Sequence, residues 1–339
     1  MTSMSGQGAG PEPVAVTDLG GLGVSRLGLG CMVLTRSHGR PDEAEALATL
    51  ELALDRGVCF LDTADSYSGG DNERFVARVL RRRRSEAVLA SKFGLVATAP
   101  SGTGGIAIDG RPEYVRACCE ASLRRLGTDH IDLYYQHRVD PAVPVTETVG
   151  AMAELVAAGK VRHLGLCEVS AAELEAAHGV HPITAVQSEW SLWARQIETE
   201  LLPTARRLGV GIVPYSPLGR GFLAGAIRTE EVIGSGDVRS GDPRLKGEHL
   251  RHNLGLVVVL EDVAAERGAT PAQVAIAWLL AQGDDVVPIP GIERPALLDE
   301  DLGALGVGLT SAELTRLEAA FAPGAASGNP DETLLRSGR

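Results

Sequence analysis

What this 339-residue sequence lacks narrows its chemistry before any motif is read. It has no apolar run near the roughly 18 residues that a spanning helix needs, so no membrane span is expected. It has no basic excess. Against 44 acidic residues stand 32 Lys and Arg, and the net charge of −12 argues against nucleic acid or an anionic membrane as the main partner. A local basic pocket for a phosphate remains compatible with that balance. It also has no paired-cysteine motif. Cys31, Cys59, Cys118, Cys119 and Cys167 are odd in number and form no C-x-x-C, and no leader-like segment precedes them. A reducing cytoplasm is therefore the expected compartment, and no metal site is expected.

The dinucleotide-binding fingerprint is missing as well. That motif places glycine at its first, third and sixth positions. Gly21-Leu22-Gly23-Val24-Ser25-Arg26 ends in arginine, and Gly28-Leu29-Gly30-Cys31-Met32-Val33 ends in valine. Neither glycine pair supports a Rossmann site.

What is present is an alternation. Residues 1–13 are rich in Gly, Ser and Pro and read as a disordered tail, and residues 323–339 as a loose one. Between them, 14–322 reads as a single domain. Residues 14–30 suggest a hairpin turning at Gly20-Gly21 and leading into a strand ending at Gly30. Helical spacing over 41–56 (Ala46, Leu50, Leu54) is followed by the apolar run Val58-Cys59-Phe60-Leu61, which stops at Asp62. Further helices are expected over 72–83, 112–126, 146–158, 171–178, 196–208, 252–267 and 271–282. Strands are expected at 87–92, 131–137, 161–168, 183–187, 209–215 and 286–289, with a Gly-rich loop over 97–110 and a long loop near 225–250. Eight strands alternating with helices predict an α/β fold of the (β/α)8 TIM-barrel type, with an N-terminal hairpin and C-terminal helices. Sites on such barrels lie at the C-terminal strand ends, which is where Asp62, Lys92, His137, Glu168, Gln187 and Tyr215 fall.

These residue types suit proton delivery to an oxygen. A tyrosine hydroxyl has too high a pKa to exchange protons freely near neutrality, and a nearby ammonium lowers it. Asp62, Lys92 and Tyr67 thus read as a tuned general acid, with His137 beside it to polarise a carbonyl. Bland readings stand beside this one. Asp62 and Lys92 also suit a structural ion pair, His137 a satisfied structural histidine, and Tyr67 a packing residue. Cys118 and Cys119 fit helix packing. Cys167 has no basic neighbour in sequence to activate it. The run Arg81 to Arg84 fits a solvated helix end, and Trp190 fits either a pocket wall or the core.

Several stretches together resemble the aldo-keto reductases. They are Leu27–Met32, Phe60-Leu61-Asp62-Thr63-Ala64-Asp65-Ser66-Tyr67, Gly159–Leu166, Gln187–Trp193 and Pro214–Gly221. The subgroup they look most similar to contains bacterial and plant reductases related to potassium channel β subunits. The resemblance implies reduction of a small-molecule aldehyde or ketone with NADP(H), by direct hydride transfer. It implies Tyr67 as proton donor, tuned by Lys92 and Asp62, with His137 positioning the carbonyl. It implies Tyr215 stacked on the nicotinamide and Gln187, Cys167 and Glu168 at the carboxamide. Ser216, Pro217, Leu218, Gly219 and Gly221 would wrap the pyrophosphate. Gly30 and Cys31 would also face the cofactor, and Gly291, Arg294, Glu300 and Asp301 its adenosine end. Three positions depart from the family pattern: Cys167 replaces a Ser or Thr, Asp301 an Asn, and Glu293 a basic residue that meets the 2′-phosphate. Glu293 keeps NAD(H), and an NAD-linked alcohol dehydrogenase, open as an alternative. A nucleotide-binding regulatory or sensor subunit with slow turnover is the other.

Overall fold

The structure is a computed structural model describing residues 13–35, 41–97, 105–234 and 237–328. The expected N-terminal tail up to residue 12, residues 329–339 of the C-terminal tail and residues 98–104 of the Gly-rich loop lie outside the described residues. No helix among the described residues is long and apolar enough to cross a membrane.

The chain begins with a hairpin, β1 (Val16–Leu19) and β2 (Leu22–Ser25), paired antiparallel across Gly20 and Gly21. Both glycines have positive φ, 58° and 94°, which a two-residue hairpin turn of this hand requires. Next come β3 (Leu29–Gly30), α1 (Glu43–Asp55), β4 (Phe60–Asp62), α2 (Asp71–Arg83), β5 (Val88–Phe93) and the small pair β6 (Leu95–Ala97) and β7 (Ile106–Ile108). Then follow α3 (Pro112–Leu126), β8 (Ile131–Gln136), α4 (Val145–Ala157), β9 (Val161–Cys167), α5 (Ala171–His178), β10 (Ala185–Glu189), α6 (Leu201–Leu208) and β11 (Gly211–Tyr215). Helices α7 (Gly247–Arg267), α8 (Pro271–Leu280), α9 (Pro295–Gly303) and α10 (Ser311–Ala320) complete the described chain.

Seven parallel strands form one sheet in the order β3-β4-β5-β8-β9-β10-β11. The segment 286–291 joins its two edges, bridging Val286 to Ile212, Ile289 to Tyr215 and Gly291 to Gly30, all parallel. This is the expected eighth strand, in an incomplete form. Val287 and Ile289 donate to Ile212 and Pro214 on one side, while Pro288 and Pro290 only accept, from Gly28 and Gly30, on the other. A proline has no N–H, so half of the bonds across that seam are missing and the ladder is reduced to isolated bridges. Gly30 makes the closure fit, because a Cβ there would lie 2.9 Å from the Ile289 carbonyl oxygen.

Alternation along the strands sorts side chains into two layers. Leu61, Leu89, Tyr134, Leu164, Val186 and Ile212 face outward against the helices. Phe60, Ala90, Leu133, Tyr135, Ala185, Val213 and Val287 fill the barrel interior, where Leu19 and Val24 of the hairpin plug the N-terminal end. Positions two further on share the inward direction. Asp62, Lys92, His137, Gln187 and Tyr215 therefore follow Phe60, Ala90, Tyr135, Ala185 and Val213 at the C-terminal mouth.

Two other expectations change. The Gly-rich loop contains the β6–β7 pair, with Leu95 opposite Ile108. The helix expected over 196–208 is split into a 3-10 turn, Gln196–Glu198, and α6. Pro203 explains the break, since its ring would clash with the carbonyl four residues earlier and the helix cannot run back through Thr199. The long connection near 225–250 consists of short 3-10 turns and the start of α7, and it buries Arg244.

Candidate active site

Lys92 lies at the end of β5 with 0% of its side chain exposed. Its ammonium donates to Asp62 Oδ1, to the Thr63 carbonyl at 2.9 Å and to the Tyr67 hydroxyl at 3.4 Å, which uses all three of its protons. Asp62 Oδ2 accepts from Gln187 Nε2 at 2.8 Å. Burial alone would lower the Lys92 pKa, but Asp62 and Tyr67 together more than offset it, and the net direction is upward. The ammonium stays charged.

Tyr67 reaches Lys92 because the chain after β4 keeps to the sheet for three residues, Thr63 N–H bonding Ala90 O and Asp65 N–H bonding Lys92 O. It then tightens into the turn Tyr67–Gly70. Asn72, fully buried, fixes this turn. Its side chain accepts from Thr63 Oγ1 at 2.6 Å and donates to Cys31 O and Thr35 Oγ1, both at 2.8 Å. Nothing in the sequence pattern singled out Asn72. Its only prior signal was a polar residue on the apolar face of a helix.

The tuning of Tyr67 differs from expectation. Burial raises its pKa, Lys92 lowers it, and Asp62 raises it again, so the net direction is upward. The ammonium only moderates a hydroxyl that is held neutral. His137 continues the β8 ladder by donating its N–H to Phe93 O. Its ring meets Tyr67 edge-on with centroids 5.8 Å apart, and its Nδ1 lies 3.5 Å from Ser66 Oγ. Burial, then Lys92 and Arg138, push the imidazole pKa well below its ordinary value, so His137 is neutral too. Asp62, Tyr67, Lys92 and His137 thus stand together, with Asp62, Lys92 and His137 buried and Tyr67 partly exposed.

The remaining expected residues lie at the ends of β3, β9, β10 and β11 or in the segments that follow them, and from Gly291 into α9. Cys167 is buried, and burial pushes its thiol pKa up to about 12, which leaves it protonated. Glu168 adopts φ 51°, a costly conformation for a residue with a side chain, and its carboxylate accepts from Glu189 N–H at 2.8 Å. Burial raises the Glu168 pKa against the pull of Arg138. After β11 the chain turns through Ser216 (φ 49°), Gly219 (56°), Arg220 (57°) and Gly221 (93°). A Cβ on Gly219 would stand 2.7 Å from the Trp193 ring nitrogen, so the loop can lie flat on that indole only with glycine there. Trp193 stacks on Phe222 at 4.3 Å, and the Arg244 guanidinium lies 4.4 Å from its ring. Gly291 faces Gly30 across the seam. Arg294 is the N-cap of α9, which carries Glu300 and the buried Asp301. Arg220 and Arg294 form no ion pair with another described residue. Trp190 belongs to the core: it is fully buried, donates to Glu198 and packs edge-on against Trp278.

Comparison with known proteins agrees with the fold. Residues 26–322 match the family model described as the aldo/keto reductase family. The chain is 46% identical over 299 residues to "Probable aldo-keto reductase 1" of Glycine max, covering 88% of this chain and 85% of that protein. Its fold is similar to that of a glycerol dehydrogenase from Gluconobacter oxydans, with a TM-score of 0.84 and 29% identity over 93% of this chain and 97% of that one. It is also similar to an aldo/keto reductase from Klebsiella pneumoniae solved with NADP and acetate, with a TM-score of 0.70 and 28% identity over 91% and 95% of the two chains.

Asp301 has a measurable pH signature. Burial, then Glu300, raises its carboxyl from an ordinary 3.8 to about 7. Between about pH 4 and 7 the folded protein therefore holds a proton that the unfolded chain has released, and this contribution to stability falls as pH rises through that window. Urea denaturation of Asp301→Asn and wild type is expected to show the variant gaining relative stability from pH 4 to 7, on the order of a few kcal/mol. A constant difference across the window contradicts the assignment.

Proposed function

The chain belongs to the aldo/keto reductase family, and on that premise we propose that it is an oxidoreductase reducing an aldehyde or ketone to an alcohol with NADP(H). The observation that carries this reading is the buried Lys92 ammonium, shared between Asp62 and the Tyr67 hydroxyl beside a neutral His137.

The cofactor is tested against the residues present. A nucleotide needs positive charge for its phosphates and a backbone that lets them approach. The left-handed turn through Ser216 to Gly221 and the guanidiniums of Arg220 and Arg294, which form no ion pair among the described residues, fit both needs. In this assignment Ser216, Pro217, Leu218, Gly219 and Gly221 hold the pyrophosphate. Gly291, Arg294, Glu300 and Asp301 hold the adenosine end, and Gln187, Glu168, Cys167 and Tyr215 the nicotinamide, with Gly30 and Cys31 near it. When bound, the nicotinamide supplies the hydride to the carbonyl carbon.

The chain's own residues handle the oxygen. His137 is neutral, and a Ser66 hydroxyl donating to Nδ1 leaves Nε2–H free to polarise the carbonyl. Tyr67 gives its proton to the oxygen as charge develops there. Lys92, 3.4 Å away, stabilises the resulting phenolate, and Asp62 keeps that ammonium charged and in place. Gln187 holds the other Asp62 oxygen and so fixes the carboxylate's orientation. The free thiols support a reducing compartment such as the cytoplasm.

Tyr67→Phe tests the acid directly. With a reactive aromatic aldehyde, NADPH oxidation is expected to fall by about 10²–10⁴-fold while nucleotide binding persists. Equal turnover by both proteins overturns the assignment of Tyr67. Nucleotide binding without turnover by the wild type, across several carbonyl classes, favours the sensor reading.

Glu293 supports NAD(H) as a second reading for the cofactor. It directly precedes the α9 cap, where a carboxylate repels a 2′-phosphate. Glu293→Lys is expected to shift the ratio of kcat/KM values toward NADPH by about tenfold, a change of about 1.4 kcal/mol. An unchanged ratio removes Glu293 from cofactor choice.

A further inference from the structure

Arginines on the outer helices are mostly paired. Along α2 and the turn after it, Arg74 pairs with Asp71, Arg78 with Glu43, Arg82 with Glu51, Arg83 with Asp55 and Glu86, and Arg84 with Asp132. Arg81 and Arg124 are different: like Arg220 and Arg294 at the barrel mouth, they pair with no other described residue. The likeness to Arg220 and Arg294 rests on the nucleotide reading above. The groove itself does not.

Arg81 and Arg124 line one groove of about 440 Å³ between α2 and α3, together with Arg74, Arg125 and Ala121. Helix geometry brings them there. Arg74 and Arg81 are seven residues, two turns, apart on one face of α2, and Ala121 lies one turn before Arg124 and Arg125 on α3. The small Ala121 side chain leaves the floor open. Arg125 is fixed, donating through Nε to the buried Glu73 at 2.5 Å and through Nη2 to Ser122 Oγ at 3.0 Å. Gly70 leaves room for it, since a Cβ there would stand 2.7 Å from the Arg125 Cδ.

Four guanidiniums are thus gathered in one groove, two of them without a counter-charge among the described residues, in a chain whose net charge is −12. Asp71 and Glu73 offset the charge of Arg74 and Arg125, and an anion from outside would offset that of Arg81 and Arg124. We propose that this groove binds the phosphate group of a small phosphorylated molecule. Planar guanidiniums match the oxygens of a phosphate in pairs, and its dianion meets several at once. The groove's volume suits a metabolite-sized ligand.

Inorganic phosphate is the first probe, titrated by calorimetry at low ionic strength into protein saturated with NADP⁺. Arg81→Glu/Arg124→Glu is expected to weaken phosphate binding by about tenfold or more, with NADP⁺ affinity and circular dichroism unchanged. Equal binding by variant and wild type overturns the proposal. So does the absence of binding by wild type at concentrations on the order of 10 mM. Arg220→Ala/Arg294→Ala separates this site from the cofactor reading. It is expected to lose nucleotide affinity and keep the phosphate titration, and retained nucleotide affinity would count against the cofactor assignment alone. Glucose 6-phosphate and vesicles containing phosphatidic acid distinguish a soluble ester from a lipid headgroup. Binding of the sugar phosphate is expected, and binding of vesicles alone overturns the small-molecule assignment.

Discussion

A charged ammonium with no exposed surface is the constraint on which the rest of this molecule depends. Removing a charge from water costs several kcal/mol even after the protein relaxes. Lys92 is tolerated because Asp62, the Thr63 carbonyl and the Tyr67 hydroxyl accept hydrogen bonds from its three N–H groups. Asp62 in turn is satisfied on its other oxygen by Gln187, two strands further round than β8. Closing the sheet into a barrel is what brings the Gln187 side chain to the pair that Lys92 forms with the stretch 62–67.

Burial also sets the chemistry of the neighbours. The low-dielectric surroundings that make Lys92 costly hold Tyr67 and His137 in their neutral forms. In the proposed reaction Tyr67 then has a proton to give and His137 an N–H that donates a hydrogen bond, and the ammonium would act most strongly at the moment a negative charge appears on the phenol. Elsewhere at the mouth, Glu168, Ser216 and Arg220 adopt left-handed backbone conformations. Such strain persists only where surrounding contacts enforce it, and among the described non-glycine residues it occurs at these three and at Ser68, in the turn that begins with Tyr67.

Much of this was legible in the sequence because it is periodic. Alternating strands and helices expose the barrel, and inward positions two residues apart place Asp62, Lys92, His137, Gln187 and Tyr215 at one end. The parts that were not legible lack a period. Pro288 and Pro290 weaken the closing seam without changing its apolar pattern. Pro203 cuts a helix whose apolar spacing runs on through it. Asn72 earns its place through three side-chain bonds to segments that only the fold brings near. The direction of the Tyr67 pKa depends on how deeply the hydroxyl is buried, which residue identity does not reveal, and the sequence alone suggested the opposite sign.

The most direct test of the buried pair as the organising interaction is a stability cycle of wild type, Asp62→Asn, Lys92→Met and the double variant by urea denaturation. Each single change is expected to cost about 3–5 kcal/mol, because it leaves an uncompensated buried partner. The double variant is expected to cost clearly less than the sum. Losses that add to within about 0.5 kcal/mol would show that the two charges do not depend on each other and would contradict the account.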